Sequence, residues 1–138
     1  MLGSGSDTAR KGLITHLAVT QKLVEKGYEV LQPFSDLRYD LAYISAEDRF
    51  IRVQCKSARL SKDGSCLLFN TSSLPGGRGI PKSYRGEVEY FGIYSSDTGK
   101  VYLVPVDVVP PIGAGCLRIE KTKNNQDKKV NWAKDYEL

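Results

Sequence analysis

The run from Phe50 to Ser57 constrains this chain more than any other stretch, because its side chains alternate. Ile51, Val53 and Cys55 fall on one side, and Phe50, Arg52, Gln54 and Lys56 on the other. A period of two belongs to an extended strand. Gln54 and Lys56 then emerge side by side, about 7 Å apart along the strand. Just upstream, Tyr39–Ser45 reads as a second strand, apolar apart from Asp40 near its start. Glu47 and Asp48 form the solvated tip of a hairpin between the two. Pairing in that hairpin sets Asp40 opposite Gln54 and Lys56, so that a carboxylate, an amide oxygen and an ammonium converge. Together they make a site for a hard metal ion and a phosphate.

The remaining elements surround that pair. Gly12–Lys26 reads as a helix: Leu13, Ile14, Leu17, Ala18 and Val24 recur at spacings of three, four and seven, and Gly27 stops it. Asp7 or Thr8 can cap an earlier start, and His16, Val19, Thr20 and Leu23 form a second face beside the apolar stripe. Short strands are expected at Tyr28–Gln32, Ser65–Asn70, Tyr90–Tyr94, Lys100–Val104 and Leu117–Glu120, with turns at Asp63-Gly64 and Asp97-Thr98-Gly99. Leu74–Pro81 is a glycine-rich loop that lacks the frame of a phosphate cradle. A short helical turn is expected from Ser83. The tail Lys121–Lys134 is polar and basic, anchored by Trp132 and Tyr136. This order predicts an α/β (α+β) architecture, a mixed central β-sheet flanked by helices.

A length of 138 residues is accommodated by a single domain, with residues 1–8 as a flexible tail. Twenty Lys and Arg against sixteen Asp and Glu leave a net charge of +4, a mild tilt toward polyanions such as nucleic acid. Cys55, Cys66 and Cys116 contain no CxxC pair, which disfavours a structural zinc site and a secreted disulfide scaffold. No apolar run approaches the roughly 18 residues of a membrane span, and the start has no apolar signal region. A cytoplasmic, intracellular protein without a membrane partner is expected.

Four stretches carry a family likeness: Glu25-Lys26-Gly27-Tyr28-Glu29-Val30, the Arg38-Tyr39-Asp40 step, Val53-Gln54-Cys55-Lys56, and Asn124-Asn125-Gln126 followed by Trp132-Ala133. They resemble the PD-(D/E)XK nucleases, most closely the group I intron-associated (homing-type) endonucleases of that superfamily, over nearly all of Gly12–Leu138. The resemblance implies a restriction-endonuclease-like core and metal-dependent, site-specific hydrolysis of phosphodiester bonds in double-stranded DNA by a homo-oligomer, dimer or tetramer. It matches Asp40 to the motif aspartate, a ligand for Mg²⁺, with Mn²⁺ as the other ion that fits. Gln54 stands where many members carry Glu and where the intron-associated branch resembles this chain in carrying Gln; its amide oxygen can coordinate, but without negative charge. Cys55 would contribute its backbone carbonyl. Lys56 matches the motif lysine, which orients the attacking water or stabilises charge on the phosphate.

His16, the one histidine in the chain, stands on the helix where the family commonly carries Glu. Neutral imidazole is a poor Mg²⁺ ligand, so His16 is either a general base, a ligand for a softer ion, or a sign of lost activity. Arg59, Lys62, Arg78, Lys82 and Arg85 flank the expected site as phosphate contacts, with Arg78 the first choice for a groove contact. Lys121, Lys123, Lys128 and Lys129 form a second basic cluster. Three other readings stay open: a catalytically weakened DNA-binding protein on the nuclease fold, a Holliday-junction-type resolvase, and a small protein-binding domain merely solvated by its charges.

Overall fold

The computed structural model describes residues 6–120 and 130–138. Helix α1 spans Asp7–Glu25, so it begins earlier than the apolar spacing indicates. Ser6 caps it, in place of Asp7 or Thr8, by accepting the Ala9 amide on its hydroxyl at 3.1 Å. Gly27, at a φ of 91°, turns the chain out of the helix. Of the expected tail, residues 1–5 lie outside the described residues.

The stripe of α1 that packs is not the one richest in leucine. Thr15, Val19 and Leu23 are buried, Val19 and Leu23 in a cluster with Leu41, Tyr43, Ile51, Val53 and Val101. Leu13, Ile14, Leu17 and Val24 are between 48% and 60% exposed. Close approach explains the reversal. A Cβ on Gly92 would lie 2.7 Å from Val19 Cγ1 and 3.0 Å from Val53 Cγ1, so the helix axis runs near the sheet. A valine fits over Gly92 at that point, where a longer side chain would hold the helix away.

Strands β1 (Glu29–Leu31), β2 (Leu41–Ile44), β3 (Phe50–Leu60) and β4 (Cys66–Asn70) follow in order. A small hairpin, β5 (Ser72–Ser73) and β6 (Lys82–Ser83), comes next, then β7 (Tyr90–Ser95), β8 (Lys100–Pro105) and β9 (Ala114–Arg118). All but β5 and β6 join one seven-stranded mixed sheet. Strand β3 is its spine, antiparallel to β2, parallel to β7 and antiparallel to β4 at its far end. Helix α1 covers one face. The opposite face is closed by side chains from irregular segments, Tyr84, Val88, Val106 and Val109, packed on Phe69, Phe91, Ile93 and Leu117.

Several local expectations shift. Ser83 belongs to β6, and the helical turn expected from it is one turn beginning at Tyr84, whose carbonyl accepts the Glu87 and Val88 amides, while the glycine-rich loop holds a 3₁₀ turn at Pro75–Gly77. The last strand begins at Ala114, ahead of the expected Leu117. Tyr136 packs on the second core and Trp132 bridges to Arg118, so both anchor the tail.

Candidate active site

The site forms where β2 leaves β3. Leu41 pairs with Val53, and residues two apart on a strand aim their amides at the same edge. Cys55 N–H therefore points to the edge that β2 has just vacated. Asp40 fills the gap: its backbone amide donates to Val53 O at 2.9 Å, and its Oδ2 accepts the Cys55 amide at 2.8 Å. The side chain substitutes for a ladder partner, which fixes the carboxylate against the strand that carries Gln54 and Lys56.

Lys56 lies on the same strand face as Gln54 and is half-buried. Its Nζ sits 4.8 Å from the centre of the Tyr84 ring and 3.5 Å from Ser72 O. Burial lowers its pKa below the ordinary lysine value; Arg38 adds to that effect, while the nearby Asp40 opposes it. The ammonium is thus short of water yet within the field of one carboxylate, as charge stabilisation at a phosphate requires.

Arg38 was absent from the expected site, although it lies two residues before Asp40. Its Cζ sits 4.0 Å from the Tyr84 ring centre. Its Nε donates to Glu87 Oε2 at 3.1 Å, Nη1 to Ser73 Oγ at 2.6 Å and Nη2 to Ser83 O at 3.0 Å. Tyr84 is 5% exposed and meets Phe91 edge-on with ring centres 5.8 Å apart. It is a packed platform for two cations. Burial pushes its hydroxyl upward, against the pull of Ser73 and Arg38.

Cys55 is held protonated: burial, then Asp40, raises its thiol above the ordinary range. The sulfur is therefore poorly suited to act as a ligand or nucleophile. Gln54 takes no part in the hydrogen bonds that Arg38, Asp40 and Lys56 make with Glu87, Ser73, Ser83, Cys55 and Ser72. His16 sits next to Thr15, whose hydroxyl lies 2.6 Å from Ser57 Oγ on β3. Its Nε2 is buried without a partner, and no described hydrogen bond brings the imidazole to Asp40 or Lys56.

The basic residues divide. Lys82 pairs with Glu87 at 3.5 Å and Arg85 donates to Val109 O at 2.8 Å. Arg59, Lys62 and Arg78 are exposed and have no ion pair among the described residues. Lys121, Lys123, Lys128 and Lys129 lie outside the described residues.

The site is thus a mixed sheet crossed by one helix, with an aspartate wedged into the ladder beside a strand that presents Gln54 and Lys56. A profile of the PD-(D/E)XK endonuclease family matches residues 6–138, and the chain belongs to that family. The fold is similar to that of a solved bacterial homing endonuclease, I-Ssp6803I, with a TM-score of 0.72 and 27% identity, over 96% of this chain and 89% of that one. No curated protein matches significantly. Among the described residues no helix is long and apolar enough to cross a membrane.

Nucleases of this family are generally dependent on a divalent metal. The donors here suit a hard cation, although no group of three His, Cys, Asp or Glu gathers among the described residues. Asp40 commits Oδ2 to the Cys55 amide, leaving Oδ1 and the Gln54 amide for a ligand. Magnesium takes one or two protein oxygens, completing its shell with water and substrate phosphate.

Proposed function

We propose that this single domain is a metal-dependent, site-specific endonuclease of duplex DNA, acting inside the cell. The reading is carried by one observation: a water-poor lysine ammonium beside a carboxylate that is itself locked to the strand carrying Lys56. Asp40, the Gln54 amide and the Cys55 carbonyl would hold Mg²⁺ or Mn²⁺, which when bound polarises the phosphate and activates water. Lys56 steadies the attacking water and the negative charge that develops on phosphorus. Asp40 opposes the loss of charge that burial favours at Lys56, and the Tyr84 ring lies against its ammonium. Arg59, Lys62 and Arg78, with Lys121 and Lys123 from the tail, would meet backbone phosphates.

Two further features belong to this proposal. Ile14, Leu17, Gln21 and Val24 recur at three and four along α1, the spacing of a coiled-coil seam, and the three apolar members are exposed. Burying that seam against a second copy makes a homo-oligomer, which doubles the DNA length one assembly covers. His16 removes a negative charge where the family commonly has one. A catalytically weakened DNA-binding protein is the second reading, favoured by the small number of carboxylates at the site.

The test is cleavage of plasmid and random-sequence duplex with each divalent ion, alongside Lys56→Ala and His16→Glu. Cleavage with Mg²⁺ or Mn²⁺, abolished in Lys56→Ala while DNA retention persists, supports the nuclease; His16→Glu should then lower the metal concentration needed. Retention without cleavage under every ion, and in His16→Glu as well, leaves the binding protein. A four-way junction run in parallel, cut in preference to linear duplex, would point to a resolvase.

A further inference from the structure

Phe34 is wholly exposed, at 112% of its reference area. An aromatic ring ordinarily buries a large area on folding, so a fully presented one is suited to a partner. Phe34 lies in the loop between β1 and β2, the loop that ends in Arg38 and Asp40. A second exposed tip, Ile80 at 87%, with Leu74 at 45%, projects from the connection between β5 and β6, which also carries the exposed Arg78.

One residue roots both loops. Arg38 donates to Ser73 Oγ on β5 and to Ser83 O on β6, and its guanidinium lies over the Tyr84 ring that also carries Lys56. The loops that hold Phe34 and Ile80 are therefore tied to each other and to the reactive lysine by a common polar anchor. No described residue covers either side chain, and the exposed Arg78 in the loop that carries Ile80 suits a polyanion. Apolar side chains presented among phosphate-binding cations unstack base steps in other DNA-bound proteins.

We infer that Phe34, with Ile80 as a second tip, is an apolar wedge that enters a base step of duplex DNA beside the phosphate at Lys56. The inference rests on the nuclease reading for its choice of partner. A wedge removes stacking before the bond is cut and favours sequences whose steps open cheaply, so Phe34 contributes to site choice without a hydrogen bond to any base.

The experiment measures affinity of the full chain, in Ca²⁺, for a short paired duplex and for the same duplex with a central abasic site flanked by 2-aminopurine. The wild-type protein should bind the abasic duplex about tenfold more tightly, since the stacking cost is already met, and should brighten the 2-aminopurine. Phe34→Ala should lose both effects and Phe34→Trp keep them, with the dependence of affinity on salt unchanged because no phosphate contact is removed. Equal wild-type affinity for the two duplexes overturns the wedge, as does a preference that survives Phe34→Ala. Loss of self-association in Phe34→Ala with an unchanged preference overturns it in favour of a contact between copies. The nuclease reading fails separately: a chain that prefers the abasic duplex yet cuts nothing with Mg²⁺ or Mn²⁺ keeps the wedge and loses the hydrolysis.

Discussion

At the scale of single residues, Lys56 is tuned by its neighbours more than by its own strand. Burial and Arg38 both lower its pKa from 10.5, so the charged form is lost at lower pH than for a solvated lysine. If the ammonium is what stabilises the phosphate, cleavage falls as pH rises through that depressed value. Replacing Arg38 by Met removes a positive charge from the Tyr84 platform and should move the basic limb of the pH–rate profile upward. An unmoved limb, in a variant whose thermal melt shows it folded, would separate Arg38 from the tuning of Lys56. For stability the sign is opposite to that of a salt-bridged lysine. Lys56 costs stability below its folded pKa, and the cost fades as pH rises toward 10.5. That Gln54 and Lys56 share a face was legible because alternation along a strand fixes it. Arg38 and Tyr84 were not, since they meet through a fold that joins positions 38 and 84, and neither position has a periodic signal to mark it.

At the scale of elements, the packing of α1 sets how accurately β3 is held. The expected stripe followed residue hydrophobicity, whereas the buried one sets Val19 over Gly92 and Thr15 against Ser57 of the sheet. Counting apolar residues on a helical wheel cannot reveal a glycine seventy positions away. That contact predicts a measurable cost. Gly92→Ala would set a methyl 2.7 Å from Val19 Cγ1, and repacking should destabilise the protein by about 1–3 kcal/mol, read as a fall in the urea midpoint at constant slope. An unchanged midpoint would mean that α1 rides higher over β7 than described. The β2–β3 and β7–β8 hairpins were legible from alternation and turn residues, because both signals are local. The parallel pairing of β3 with β7 was not, since it joins segments nearly forty residues apart through register alone.

At the scale of the molecule, the exposed seam of α1 is where the proposed homo-oligomer can be tested. Leu17→Glu, on the exposed seam of α1, should leave the fold within about 0.5 kcal/mol of the wild type, as surface substitutions do. It should also convert an assembly to monomers in sedimentation. A wild-type chain already monomeric at the concentrations that bind DNA would rule out the α1 seam as an interface. The overall architecture was readable because it follows from the order of elements. Strand β3 ties these levels together. It borders β2, β7 and β4 in turn and carries Gln54 and Lys56 along its middle. Inserting or deleting one residue ahead of Gln54 would swap which side of the sheet receives the lysine, while the outer segments held their places. Length changes within this strand can therefore be absorbed in twos, which makes its parity, more than its composition, the quantity that descendants of this chain must preserve.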